Sequence, residues 1–337
     1  MGRYLGVDLH KTVFTVCFLE DETGEYVYKD YHLSRIERFK SELDQKDVVG
    51  VESTGNTRYF VERIRDCVNE VKVINPSRFK VISQSVQKTD RRDALTIAEF
   101  LSKGMIPEIR MRDKETAQIK SLVHTRDKLV KLRTALKNKV HNILNFYGIS
   151  IKRESLTSNK GLSAVVEQPV EEIAKVELTV IISQIKSLNQ GIKKLDKEIE
   201  DKGKNLKGFK NITSIKGIGP KSGTILLSVI GNVEDFESEK KLASYFGIVP
   251  RIHISHETVH TGRITKQGSK LGRTTLVQCT LIAKKYSPYL EKFYQRIKAK
   301  KGSGKAIIAT AKKLLGIIYI TLYNDWEFED FPNFVIK

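Results

Sequence analysis

"RYLGVDLHKTVFTVCFLEDETGEYVYKDYHL", residues 3–33, decides the fold. It holds three runs rich in β-branched and aromatic residues, "RYLGVDL" (3–9), "VFTVCFLE" (13–20) and "YVYKDYHL" (26–33), with "ETGE" (22–25) as a turn. Runs of this kind separated by turn residues read as strands, so a three-stranded meander is predicted. Working outward, the pattern predicts a helix around residues 34–44, the strand "DVVGVEST" (47–54), a helix over "RYFVERIRDCV" (58–68) and the strand "VKVIN" (71–75). The succession β-β-β-α-β-α-β followed by helices is that of a ribonuclease-H-like, RuvC-like α/β core.

In such a core the first strand carries an inward carboxylate, the fourth carries another, and the helix after the last strand brings more to the same end of the sheet. Here Asp8 in "LGVDLHK" and Glu52 in "GVESTG" occupy the strand positions, and "KTDRRDALTIAEFL" (88–101) offers Asp90 and Asp93. Asp8 is the most telling of them, because an acid inside an otherwise apolar strand is costly without a partner. Asp90 and Asp93 admit two readings. Asp90 precedes the apolar-periodic Leu95, Ile97, Ala98 and Leu101 and suits a helix N-cap. Positions three apart also share a helix face and can aim at one cation. Four converging carboxylates repel one another unless a cation joins them. A pair of divalent ions roughly 4 Å apart answers that need and clamps the attacking and leaving oxygens of a phosphodiester. Oxygen ligands with no histidine or cysteine among them favour Mg2+, with Mn2+ as the alternative. Lys88, Arg91 and Arg92 then hold the DNA backbone beside the metals.

Charge divides the chain. The net charge is +19 over 337 residues, yet residues 1–110 hold 18 Lys and Arg against 18 Asp and Glu, so the whole excess falls on the remainder. An excess of this size points to a polyanionic partner. A neutral, acid-bearing part joined to a broad basic part suits a catalytic module attached to nucleic-acid-binding modules. The three cysteines, Cys17, Cys67 and Cys279, show no CxxC spacing and read as reduced and structural. The start "MGRYLGVDLHK" has no signal-peptide layout and no apolar run reaches the roughly 18 residues of a membrane span, so a cytoplasmic protein is expected.

Beyond residue 110, residues 115–147 read as one long helix and 178–199 as a second, in which Leu178, Ile181, Ile185, Leu188, Ile192, Leu195 and Ile199 step by three and four. That seam suits an antiparallel hairpin with the first helix, a coiled coil between protomers, or an ordinary core helix. Residues 152–163 read as a loop. In "ITSIKGIGPKSGTILLSVIG" (212–231), Gly217, Gly219 and Pro220 form a hinge like that of a helix-hairpin-helix element, whose backbone N–H groups face a phosphate, with Lys216 and Lys221 beside it. A glycine- and arginine-punctuated stretch (243–278) follows, then a helix from about 271 to 286, a basic run "KAKKGSGK" (298–305) and a final helix over 305–323. The expected division is a RuvC-like catalytic domain at 1–110, a long-helix coiled-coil region at 111–205 and a mainly helical domain at 206–337.

Taken together, "GVDLHK", "VESTG", "KTDRRDA", "IKGIGPKSG", "LASYFGIVPR" and "GRITKQGSK" resemble, in order and almost end to end, a DEDD-type insertion-sequence transposase of the group that includes the Piv and MooV DNA invertases. The resemblance implies an N-terminal RuvC-like domain, a coiled-coil stalk and a C-terminal transposase domain with a nucleophilic serine. Asp8, Glu52, Asp90 and Asp93 match its acidic positions. The serine matched is Ser255 in "RIHISHETVH", where His256 and Glu257 stand in place of the family's usual glycine. Ser269 in "KQGSKLGR" is the second candidate, though it also suits a helix cap. Arg251, Arg263, Lys266 and Arg273 surround Ser255 in sequence and suit a phosphate grip. His253, His256 and His260 alternate nearby as part of a polar strand or loop. The resemblance further implies guidance by a structured noncoding bridge RNA that pairs with donor and target DNA. It also implies dimer-to-tetramer assembly, with the serine of one protomer completing the metal site of another.

A serine nucleophile conserves bond energy in a phosphoserine ester that a DNA hydroxyl can later displace, whereas activated water would discard it. Two rivals stand beside the transposase reading: a RuvC-like structure-specific nuclease in which water attacks, and a noncatalytic nucleic-acid scaffold using the basic surface. The neutral, acid-bearing N-terminal part speaks against the scaffold.

Overall fold

The computed structural model describes residues 2–76, 78–79, 89–255 and 258–328. The chain forms two compact units, Met1–Met111 and Arg112–Lys337.

In the first unit the meander forms as read, with β1 (Arg3–Leu9), β2 (Val13–Glu20) and β3 (Tyr26–His32), followed by α1 (Ile36–Lys40), β4 (Val48–Glu52), α2 (Thr57–Ile64), β5 (Glu70–Ile74) and α3 (Asp90–Ser102). The sheet order is β3-β2-β1-β4-β5. β1 pairs antiparallel with β2 and β2 with β3, while β1–β4 and β4–β5 are parallel. α1 is shorter than predicted because the chain after it is drawn into a turn. The buried Asp47 carboxylate accepts the Asp44 N–H at 2.8 Å and two bonds from Arg3 at 2.9 and 2.7 Å.

Strand alternation separates two faces. Leu5, Val7, Leu9, Phe14, Val16, Phe18, Val49 and Val51 meet Phe39 of α1 and Phe60 and Ile64 of α2. Phe14 stands edge-on to both Phe39 and Phe60, with centroids 5.3 and 5.2 Å away. Each of these fully buried rings contributes about 1.5–3 kcal/mol by leaving water. The opposite face is built for contact with a backbone. A Cβ on Gly6 would lie 2.0 Å from the Ala94 carbonyl oxygen and 2.5 Å from the Ala98 nitrogen, so only glycine lets α3 lie directly on β1. Gly50 on β4 leaves the same room for Ile97.

The second unit contains α4 (Lys114–Phe146), α5 (Asn159–Val166), α6 (Glu172–Gly203), α7 (Phe209–Ser214), α8 (Pro220–Ile230), α9 (Glu239–Tyr245), the strands β6 (Pro250–Ser255) and β7 (Thr258–Ile264), α10 (Lys270–Tyr286), α11 (Pro288–Lys301) and α12 (Ser303–Tyr323). α4 begins at Asp113, whose carboxylate accepts the Thr116 N–H at 2.7 Å. It runs antiparallel to α6, as the cross-links Arg126–Asp196, Arg133–Asn189 and Lys139–Glu177 show. In the predicted seam Leu178, Ile181, Ile185, Ile192 and Ile199 are buried. Residues 152–163 are not a loop. Ser158 accepts the Gly161 N–H at 3.1 Å and starts α5, which buries Leu162 and Val165.

At the hinge Gly219 is the N-cap of α8 and Pro220 its first residue, where the missing N–H costs nothing. Gly217 has φ +103°, and a Cβ there would lie 2.6 Å from the Ala283 nitrogen. Residues 288–301, not anticipated as a helix, form α11, and the predicted basic run 298–305 spans its last turn and the start of α12. Contrary to the hydropathy reading, α12 is long and apolar enough by composition to cross a membrane. It is instead a core helix of this unit, with Ala311, Leu314, Leu315, Ile317 and Ile318 buried.

Candidate active site

The acidic cluster grows from strand register. Val7 and Val51 are the last partners of the parallel β1–β4 ladder, so the next residues, Asp8 and Glu52, stand side by side at the ends of their strands. Because side chains alternate, Asp8 shares a face with Gly6, and Glu52 shares one with Gly50. That is the face on which α3 lies. α3 starts at this end of the sheet, so its first turn carries Asp90 and Asp93 toward the strand acids.

The cap differs from the capping reading of Asp90. Thr89 is the N-cap, its hydroxyl accepting the Arg92 N–H at 3.3 Å, and Asp90 is the first helical residue. Asp90 is thereby free of the capping geometry and its side chain is 59% exposed, whereas Asp93 is 5% exposed. Less than one turn of helix separates a solvent-facing acid from a buried one.

Sequence reasoning missed His10. Its Nε2 lies 3.3 Å from Asp8 Oδ2 and 3.3 Å from Asp90 Oδ1. Ligand atoms of Asp8, His10 and Asp90 all lie within 4.8 Å of one another. The expectation of an acidic set without histidine is therefore corrected. The placement comes from the turn after β1, where the His10 N–H donates to the Val13 carbonyl at 3.0 Å and its carbonyl accepts from Asn56 at 2.7 Å. His10 lies just beyond the end of β1, so strand alternation alone gave no signal for it.

Neighbouring groups stiffen the site. Thr15, opposite Asp8 on β2, donates to Asp30 at 2.7 Å. Arg91 reaches Asp30 at 3.9 Å and lies 5.8 Å from the Tyr28 ring. Arg91 and Arg92 are exposed, and Lys88 lies outside the described residues. Cys17 sits behind the site against Ala94 and Ala98. Burial, with a smaller push from Glu99, raises its thiol to about 12, so it carries no thiolate chemistry near neutrality.

In the second unit Ser255 ends β6, paired with Thr258 of β7, and His253 pairs with His260. His256 and Glu257 lie outside the described residues. Arg251 and Arg263 are exposed strand residues and Lys266 is exposed with φ +56°. Two of the residues expected at phosphates have partners within the fold. Lys221 is held by Asp196 at 3.1 Å, while Lys216 stays exposed. Arg273 donates to the carbonyls of Gln267 at 2.7 Å and Phe246 at 3.1 Å, bracing the turn after β7. Ser269 caps α10 by accepting the Gly272 N–H at 3.0 Å.

Comparison with known proteins meets this arrangement from both ends of the chain. The family model for DEDD transposases of the IS110 type matches residues 5–149, and that of the Transposase IS116/IS110/IS902 family matches 209–295. The chain belongs to the IS110 family of insertion-sequence transposases. Relatives agree along its length. It is similar to the transposase for insertion sequence element IS1111A of Coxiella burnetii, 25% identical over 95% of this chain and 89% of that protein. A pilin gene-inverting protein of Moraxella bovis is 26% identical over 97% of both. The transposase for insertion sequence element IS1328 of Yersinia enterocolitica is 24% identical over 82% of this chain and 83% of that protein. This IS110-family member is thus a DNA-cutting and rejoining enzyme, and DNA is its partner.

Proposed function

We propose that residues 1–110 are a RuvC-like DEDD domain, 111–205 a coiled-coil stalk and 206–337 a transposase domain, and that the protein recombines DNA through a divalent-metal site and a serine nucleophile. One observation carries the reading: Asp8, His10 and Asp90 converge within 4.8 Å at the strand end where Glu52 lies beside Asp8. The donor set fits a hard divalent cation, carboxylate oxygens in the majority with one imidazole nitrogen, which suits Mg2+ and admits Mn2+. Asp8, Glu52, Asp90 and Asp93 would hold it, with His10 as a further ligand or as a hydrogen-bonding anchor for the two aspartates. When bound, the metal would supply Lewis acidity to the scissile phosphate.

Ser255 is the nucleophile in this reading. Its oxygen bonds to phosphorus as the bond to the departing DNA oxygen breaks, the serine loses its proton and the departing strand gains one. A DNA hydroxyl then reverses the exchange on a new strand, and no ATP is consumed. Arg251, Arg263 and Lys266, exposed around the β6–β7 hairpin, steady the phosphate. The family resemblance adds a bridge RNA as guide, in which case base pairing holds the specificity. It also adds a dimer or tetramer in which Ser255 of one protomer serves the acid site of another, acting at the nucleoid. Exposed Ile173, Val176 and Val180, spaced along one side of α6, support assembly through the stalk.

The test is a covalent-adduct assay: the protein is incubated with its flanking DNA and Mg2+, denatured in detergent and probed for attached DNA. An adduct in wild type that disappears in both Ser255→Ala and Asp8→Ala is expected. Asp8-dependent cutting without an adduct, undiminished in Ser255→Ala, would give the result to a water-using nuclease.

A further inference from the structure

We propose that the exposed face of α11, continued onto the start of α12, docks the sugar–phosphate backbone of duplex DNA. The identity of the polyanion rests on the DNA-acting nature of the family. The placement of the surface rests on the helix itself. α11 buries only Leu290, so fourteen residues of helix are not there to fill a core. Residues 284–313 contain ten Lys and Arg and a single acid, Glu291. That acid is already engaged by Lys284 at 2.9 Å and Gln295 at 2.5 Å. α6 is the internal contrast: six basic and six acidic residues share a helix of 32, as a solvated face requires.

Four cations of this region lie over aromatic rings, and of these Lys284 is also paired with Glu291. Lys284 lies 4.5 Å and Lys298 5.9 Å from the Tyr294 ring, Arg296 5.4 Å and Lys313 5.5 Å from the Phe293 ring. A carboxylate partner would orient a cation and neutralise it; an aromatic face orients it and leaves its charge for a ligand. Attraction to the helix dipole accounts for Lys298, Lys300 and Lys301 in the last turn, but not for Lys292 and Arg296 upstream. From Lys292 to Lys301 the rod is about 14 Å long, which spans on the order of four phosphates at 3.4 Å of axis per strand residue. Phe293 and Tyr294 are half-buried beneath their cations, so their faces are not offered to unstacked bases. That favours the backbone of a duplex over a single strand, which would stack on open rings.

The experiment measures binding of a fluorescent duplex of arbitrary sequence against salt, in EDTA and in an Asp8→Ala background, so that chemistry and the metal site play no part. The test variant carries Lys292→Gln, Arg296→Gln, Lys300→Gln and Lys301→Gln. The control carries Lys193→Gln, Lys194→Gln, Lys197→Gln and Lys202→Gln on α6, with the same change in net charge. The α11 variant is expected to lower the slope of log affinity against log salt by about 3 and to weaken binding at least about tenfold at low salt, the control changing neither. Equal losses in both variants, or no loss in the α11 variant, would overturn the proposal. So would a loss confined to a structured RNA of the same length. If the fourfold variant fails to fold, Arg296→Gln and Lys300→Gln alone are each expected to lower the slope by about 1, and an unchanged slope overturns the proposal.

Discussion

At the scale of single residues, the site depends on glycine as much as on acid. Gly6 sets how closely α3 approaches β1, and the same helix delivers Asp90 and Asp93. Gly6→Ala pushes a methyl group into the Ala94 carbonyl, so α3 must move. The expected outcome is a loss of about 1–3 kcal/mol in denaturant unfolding together with DNA cutting reduced more than tenfold, although no acid is changed. Unaltered cutting with the full loss of stability would show that the helix position is not what the acids need. Asp8 was legible because an acid in an apolar strand asks for an explanation. His10 was not, because its reach back to Asp8 and Asp90 depends on a turn closed by Val13 and Asn56. Thr89 rather than Asp90 caps α3 for a similar reason: both residue types are good caps, and only the backbone decides which has extended φ and ψ.

Elements show how far periodicity carries. The strands of the meander announce themselves through runs rich in β-branched and aromatic residues, β2 being buried on both faces, and the long helices α4 and α6 through apolar steps of three and four. α5 escaped notice because "SNKGLS" has a loop composition and only two buried residues. α11 escaped because a helix that buries one leucine has no apolar period to read. The α4–α6 pair also makes a prediction about pH. Burial pushes the Asp196 carboxyl up, and hydrogen bonds from Arg126 and Lys221 overcome that and hold it below the usual carboxylate value. A carboxyl lowered on folding adds stability that is full above its unfolded value of about 4 and fades as pH falls through the folded one. Asp196→Asn is therefore expected to be less stable than wild type at pH 7, the gap narrowing as pH drops below about 4. Urea midpoints of both proteins across that range check it; a gap independent of pH would mean that packing, not charge, links these helices.

For the whole molecule, charge and topology divide the labour. The first unit is electrically balanced and carries the acid site in a β3-β2-β1-β4-β5 sheet, while the rest of the chain carries the entire +19. The meander was legible as three neighbouring strands, and Asp8 and Glu52 marked β1 and β4 as the strands that carry acids. The docking of basic helices was not legible, because charge composition names a partner but no surface. If the basic part tracks phosphates, affinity for DNA should fall by about a thousandfold or more between roughly 50 and 200 mM salt. A shallow dependence would remove that part as the DNA platform.

The proposed chemistry requires a divalent ion at the strand ends, and titration of the protein with Mn2+, followed by electron paramagnetic resonance, tests for it without DNA. Wild type should sequester Mn2+, Mg2+ should compete for the same site, and Asp8→Asn should weaken the binding at least about tenfold while the fold is kept. Equal uptake of Mn2+ by wild type and Asp8→Asn would contradict the metal site.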